Sequence, residues 1–259
     1  MMSSAAAGKH SMGILIFTVL TVLLGGCSAS QVVDLHTAGS GTAEVTIQLH
    51  PAFADYLEDL TATLGTAPGA MTGESEIFDL TAIAAGFAAE PGIDLLSATS
   101  PDRETLHLHV RFAPLPGIIS QRESVFTEVL DFTPLPRGRR QMTVRLNSVA
   151  VARLLRFAGI DPFVAESLLP PSGDMTAAEY LEYLVWALEE YHPAEELRRI
   201  IPDSAVDSRV QVAGTIQTQR GGRLGGDRTK GAAVFTTPLL TLLTTAQPVE
   251  YVIIFDTQL

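Results

Sequence analysis

The chain has 259 residues, and 29 acidic against 17 basic side chains give it a formal charge of −12 at pH 7. This charge gives no overall attraction to nucleic acid or to anionic lipid, so no nucleic-acid partner is expected. A single cysteine excludes an intramolecular disulfide framework, and the fold must therefore depend on its apolar core. The length suits one large domain or two small ones.

The first 26 residues have the three parts of an export signal. Lys9 and His10 form a short basic region, and Met12–Leu24 then runs for 13 residues without a charge. An apolar run of this length matches the core of a signal peptide and is shorter than the ~20 residues that a spanning helix needs. Residues 1–26 are therefore predicted to be a cleaved signal peptide.

The end of this signal, Leu24-Gly25-Gly26-Cys27, resembles the lipobox of bacterial lipoproteins. The resemblance implies cleavage before Cys27, a diacylglycerol on its thiol with palmitate-type acylation, and attachment to a membrane of the cell envelope. The domain would face the periplasm or sit at the outer membrane, and Ser28 agrees with the latter. Two alternatives remain open: a buried cysteine in an uncleaved anchor helix, and an ordinary secretory signal that leaves a free thiol.

Residues 27–43 are predicted to be the lipidated N-terminus and a flexible tether, because Ala38-Gly39-Ser40-Gly41 consists of small residues. The globular region is predicted to cover residues 44–259. Alternating apolar residues predict strands, and apolar residues at helical spacing predict helices. The predicted strands are 44–50, 104–112, 141–147, 208–219, 232–237 and 249–256. The predicted helices are 51–64, 75–90, 149–158 and 176–191, while residues 124–132 fit either class.

These elements predict an α+β fold, with an antiparallel or mixed sheet covered by amphipathic helices. The strand-then-helix pattern that begins at Val45 begins again at Met142, 97 residues later. The recurrence indicates two divergent β-α-α-β units, about 44–141 and 142–259. Chance similarity between amphipathic segments is the alternative.

Three histidines are the candidate metal ligands. His107 and His109 alternate along one predicted strand and therefore share a face, and His50 ends an earlier strand. Such a pair with a third ligand would suit zinc. A solvated polar strand face explains the same residues, and no fourth ligand or supporting pattern accompanies them.

The glycine-rich segment 221–231 is the second candidate site. With its flanking residue it carries four basic side chains that would contact an anion or a lipid headgroup: Arg220, Arg223, Arg228 and Lys230. It lacks the ending of a phosphate-binding P-loop, and a hairpin loop is the alternative. A second basic turn holds Arg137, Arg139 and Arg140.

The ending of the chain, Val234–Leu243 followed by Pro248–Phe255, looks like that of LppM-like lipoproteins and of hypothetical envelope lipoproteins of spirochaetes. That resemblance implies an α+β envelope domain with lipid or membrane binding and no catalytic residues to carry over. The sequence itself holds no nucleophile elbow, no His-Glu-x-x-His and no Cys–His pattern, and it indicates no cofactor. Enzyme activity is uncertain, and binding is favoured over it.

The leading interpretation is a non-enzymatic envelope lipoprotein, anchored through Cys27, that binds lipid or contacts the bilayer through amphipathic helices. One alternative is an interaction module with a protein partner in an envelope complex. The other is a zinc-dependent hydrolase at His50, His107 and His109.

Overall fold

The computed structural model describes residues 27–64, 77–121, 124, 126–157, 169–225 and 231–256. The predicted signal peptide, residues 1–26, lies outside them. The strands are β1 (Ser28–Leu35), β2 (Gly41–Gln48), β3 (Ile93–Asp102), β4 (Thr105–Phe112), β5 (Leu130–Leu135), β6 (Arg139–Leu146), β7 (Ala205–Val212), β8 (Thr215–Arg220), β9 (Arg223–Leu224), β10 (Ala232–Pro238) and β11 (Val249–Asp256). The helices are α1 (Pro51–Leu64), α2 (Leu80–Ala89), α3 (Leu115–Ile119), α4 (Ser148–Phe157), α5 (Ala177–Leu188), α6 (Ala194–Ile200) and α7 (Leu239–Thr244).

Two sheets carry the fold, and the α+β prediction is confirmed. The larger sheet has seven strands in the order β3-β4-β2-β1-β7-β10-β9, and the smaller has four in the order β5-β6-β11-β8. Neighbouring strands are antiparallel except β1 and β7, which run parallel. The larger sheet is therefore mixed and the smaller one antiparallel.

The predicted tether needs a correction, because Ser28–Leu35 is a strand in the interior of the larger sheet. β1 pairs along its whole length with β2 on one side and with β7 on the other. The small residues that indicated flexibility form the β1–β2 turn, in which Gly39 has a φ of +87° that glycine adopts without strain. The strand thus starts directly after Cys27, and no flexible linker separates this residue from the fold.

Helix starts follow local sequence. Thr176 and Glu179 form the predicted capping box of α5, since each side chain accepts a hydrogen bond from the other residue's backbone N–H. The predicted helix 75–90 instead begins at Leu80. The Asp79 carboxylate caps it by accepting hydrogen bonds from two backbone N–H groups, each at 2.9 Å.

Three apolar clusters fill the interior. The first lies between the two sheets and includes Leu35, Phe132, Phe235 and Phe255. The second packs β4 against α2, where Ile83 and Phe87 of the helix are buried. The third joins α1, α5 and α6. The smaller sheet and α2 thus both pack on the larger sheet, while the third cluster lies among helices.

The two predicted β-α-α-β units do not occupy equivalent places. β2 opens the first unit and belongs to the seven-stranded sheet, whereas β6 opens the second and belongs to the four-stranded sheet. The order of elements recurs along the chain, but the pairing of the strands differs. An origin by duplication stays a prediction.

The larger sheet has two distinct ends. Ser28 pairs with Gln48 and Ala205, and Ala205 pairs with Pro238, so β1, β2, β7 and β10 meet beside Cys27; we name this the Cys27 end. Leu35 pairs with Gly41 and Val212 at the other end, which we name the far end. Because each strand residue rises ~3.3 Å, the two ends lie roughly 25 Å apart.

Candidate functional site

Cys27 is half-buried and lies against the start of α1. The backbone N–H of His50 donates a hydrogen bond to Cys27 Sγ, with 3.4 Å between N and S. Burial raises the pKa of the Cys27 thiol, and this effect exceeds the opposing one of the hydrogen bond. In the folded domain the thiol is therefore a poor nucleophile at neutral pH.

His50, whose backbone contacts Cys27, has titratable side chains around its ring. The rings of His50 and His192 are 5.2 Å apart, and His192 Nε2 lies 2.8 Å from a carboxylate oxygen of Glu196. The pKa of His50 is lowered, first by burial and then by the charge of His192, against the opposing effects of Glu104 and Glu196. The neutral imidazole of His50 is thus the favoured form here.

The tip of the β3–β4 hairpin adds charge at the same end. The Arg103 guanidinium contacts Asp55 at 2.6 Å and Glu58 at 2.8 Å, both on α1, and Glu104 at 3.6 Å. One arginine thus faces three carboxylates, and this surface has a net negative charge. An anionic bilayer would repel it, so electrostatic attraction does not hold this end at a membrane.

The three histidines of the predicted zinc site are not brought together. His107 pairs with Thr46 and His109 with Glu44 on β2, so His50 lies four and six residues further along, roughly 13 and 20 Å away. His107 Nδ1 is 3.0 Å from the Thr46 hydroxyl instead. Within the described part of the chain, no group of three His, Cys, Asp or Glu side chains has the geometry to hold a metal ion.

An apolar groove lies between α4, α7 and the segment 169–175. Its volume is about 310 Å³, at the lower end of the range of small-ligand pockets. Val149 on α4 is 55 % exposed, whereas Leu243 on α7 is buried in its wall. None of the lining residues is charged: they are Ser148, Val149, Ala152, Leu169, Pro170, Ser172, Gly173, Met175, Leu243 and Thr244.

This groove lies at the Cys27 end. Pro238 ends β10 two strands from Ser28, a lateral distance of roughly 10 Å, and α7 begins at the next residue. Leu243 lies four residues after Leu239, the first residue of α7, which is ~6 Å along the helix. The wall of the groove is therefore within about 20 Å of Cys27.

Two basic residues of the predicted headgroup site, Arg220 on β8 and Arg223 on β9, belong to different sheets. Arg220 pairs with Glu250, which Arg145 also contacts at 3.0 Å, and Arg223 is exposed on β9. Arg228 and Lys230 lie outside the described residues. Their flanking residues, Gly225 and Gly231, are both at the far end, hydrogen-bonded to Ala232 and Val212.

A feature that the sequence indicated only weakly is the aromatic row on α5. Tyr180 is buried, Tyr183 stacks on it with ring centroids 6.1 Å apart, and Trp186 follows at 6.0 Å from Tyr183. Trp186 is 66 % exposed. In the sequence it stands one position beside the apolar stripe of the helix, and this offset is the signal for its exposure.

No protein-family model and no curated protein matches the chain. Among solved structures, it is similar to the folded domain of the LppM protein of Mycobacterium tuberculosis, determined by NMR. The identity is 8 %, the alignment covers 90 % of each chain, and the TM-score is 0.35. A similarity this weak assigns no function to the chain. No helix among the described residues is both long and apolar enough to cross a bilayer.

Proposed function

We propose that the chain is an envelope lipoprotein rather than an enzyme. A lipid on Cys27 would anchor it, and the Cys27 end would lie on the bilayer and bind the acyl chain of a membrane lipid. The observation that carries the proposal is the absence of a linker, because β1 begins at Ser28. An anchor on the preceding residue would hold the end of the sheet directly against the membrane.

The groove supports the lipid-binding part of the proposal. It is uncharged, mostly apolar, and large enough for a segment of hydrocarbon. Its position at the Cys27 end would put it near the bilayer surface. The polar residues Ser148, Ser172 and Thr244 line it as well. The Thr244 hydroxyl donates to the Leu240 carbonyl and the Ser172 hydroxyl to the Asp174 carboxylate, so both keep their oxygens as acceptors.

Membrane fractionation of the full chain tests the anchor. The substitution Cys27→Ser should move the protein from the membrane to the soluble fraction, because each buried CH₂ of an acyl chain contributes roughly 0.8 kcal/mol. Ser30→Ala, on the exposed face of β1, is the matched control and should stay at the membrane. Retention of a Cys27→Ser protein from which residues 1–26 have been removed would contradict lipid anchoring.

The orientation has its own test. Spin labels on Arg103→Cys, at the Cys27 end, and on Arg137→Cys, in the β5–β6 turn, are compared in vesicles that contain a membrane-bound relaxation agent. The label at residue 103 should be relaxed strongly and that at residue 137 weakly. Equal relaxation would mean that the domain lies on its side or moves freely.

Photoactivatable phospholipids with a diazirine in the acyl chain test the groove. The acylated chain in neutral vesicles should be labelled on α4 and α7, and Val149→Glu should reduce this labelling. Leu96→Glu is the matched control, since Leu96 is 44 % exposed on β3 against 55 % for Val149. Equal labelling of both variants would contradict binding of an acyl chain in the groove.

A further inference from the structure

The exposed row on α5 combines one aromatic residue with carboxylates. Trp186 is the most exposed large apolar side chain among the described residues, at 66 %. Glu182 and Tyr183 lie four and three positions before it on the helix, and Glu189 and Glu190 follow three and four positions after it, just past the end of α5 at Leu188. Three of these four are acidic and exposed, so the indole is framed by negative charge.

We propose that this surface, Tyr183 and Trp186 framed by Glu182, Glu189 and Glu190, docks an envelope protein that presents an apolar pocket bordered by lysine or arginine. The inference goes beyond the lipid anchor and takes from the proposed function only the compartment of the partner. Exposed tryptophan is rare on a surface without a partner and is enriched among the residues that dominate interfaces.

The negative charge around Trp186 favours a protein over the bilayer as the binding partner of this surface. Inserting Trp186 into a bilayer interface would bring the three glutamates to the headgroups, where they lose hydration and are repelled by anionic lipids. Helices that bind bilayers spontaneously carry lysine and arginine on this border instead. A basic protein surface would gain both the burial of the indole and complementary ion pairs at the rim.

The acidic residues that frame Trp186 are also held in place by a contact between two helices. Arg198 of α6 makes a two-pronged ion pair with Glu182, with N–O distances of 2.9 to 3.2 Å. This contact fixes α6 beside α5 and leaves Glu189 and Glu190 as the exposed acidic residues next to Trp186. The helix starts at its capping box and buries Val185 and Leu188. The patch is therefore preorganised, which reduces the entropy cost of binding.

Intrinsic fluorescence tests the bilayer alternative, because Trp186 is the only tryptophan of the chain. The acylated full chain is bound to phosphatidylcholine vesicles, with and without phosphatidylglycerol, whose acyl chains carry bromine. The emission should stay at the wavelength of a solvated indole and remain unquenched. A blue shift with quenching would show that the bilayer is the occupant and would overturn the proposal.

In-cell crosslinking tests the partner. A benzophenone amino acid replaces Trp186 in the full chain, and a second chain carries it at Val149 as a matched exposed apolar position. We expect a protein adduct at position 186 and none of the same mass at position 149. The crosslinked peptide of the partner, mapped by mass spectrometry, should contain lysine or arginine beside apolar residues.

Charge reversal completes the test. Glu189→Lys with Glu190→Lys should lower the adduct yield about tenfold, whereas Glu44→Lys on the exposed face of β2 should not. Adducts with lipid alone, with a second copy of this chain, or with peptides that lack basic residues would overturn the proposal. So would a yield that does not respond to the reversal.

Discussion

The two ends of the larger sheet differ in construction. At the far end, tight turns close over the core between the sheets: Gly39 of the β1–β2 turn lies against the Phe132 ring, and Leu35 is 2 % exposed. At the Cys27 end the strands lead into α1 and α7, and an open groove remains beside α7. The far end is closed by packing, whereas the Cys27 end retains space for a ligand.

The two ends of the larger sheet also differ in the charges around them. Arg103 is outnumbered by three carboxylates at the Cys27 end. Arg137 in the β5–β6 turn, with Arg139 and Arg140 at the start of β6, lies close to the far end, because Arg139 pairs with Asp256 and Asp256 pairs with Thr215, three residues after Val212. An anchor on Cys27 and a headgroup contact by the far-end basic residues would thus require two different surfaces. This separation favours contact with the anchoring bilayer through lipid chains rather than through basic side chains.

The largest expected effect concerns β1. Leu35→Ala should lower the free energy of unfolding by roughly 2–5 kcal/mol, because it removes a large buried side chain from the core. Asp34→Ala, its exposed neighbour, should change it by less than about 0.5 kcal/mol. Urea unfolding followed by circular dichroism measures both. If neither variant changes the free energy of unfolding, this segment is a flexible tether and not a strand of the sheet.

A pair of glycine substitutions compares the packing of the two ends. Gly39→Ala should cost about 1–2 kcal/mol, since its φ is +87° and the new Cβ would lie 2.9 Å from the Phe132 ring. Gly173→Ala in the groove should be close to neutral, because a Cβ there meets no atom within 4 Å. The same unfolding measurement applies, and equal costs would contradict the contrast in packing.

A smaller effect is expected from pH at the Cys27 end. The folded state lowers the pKa of His50 below its usual 6.5, so the unfolded chain takes up the proton first. The contribution of His50 to stability is therefore complete above pH ~6.5 and declines as the pH falls below it. His50→Gln should reduce this dependence in unfolding curves between about pH 7.5 and 5. An unchanged dependence in the His50→Gln protein would contradict this assignment.

The smallest effect is expected from the glycine-rich segment. Arg228→Gln with Lys230→Gln should leave vesicle binding of the acylated chain unchanged, as flotation would show. The residues that bound the segment, Gly225 and Gly231, lie at the far end, roughly 25 Å from the Cys27 end. Loss of flotation would reverse the proposed orientation.

Local patterns predicted much of the secondary structure. The alternation in β4 is confirmed, with Leu106, Leu108 and Val110 buried and His107 exposed. The capping box of α5 is confirmed as well. The strand β1 was not predicted, because its parallel partner β7 lies far along the chain. The hydrogen bond from Gln31 to Ser208, for example, joins residues 177 positions apart. A run of small residues is typical of both a linker and a tight turn, and only strand pairing distinguishes them.

The sequence by itself determined the α+β class, the helix with its capping box, the alternation of the strands, and the expectation of an anchor at Cys27. These follow from residue types and spacings within short windows, where local propensity and periodicity act. Only the tertiary structure decided that β1 belongs to the sheet, that His50 meets His192 instead of His107 and His109, and that the groove lies at the Cys27 end. Each of these depends on contacts between residues far apart in the chain, which local patterns do not encode.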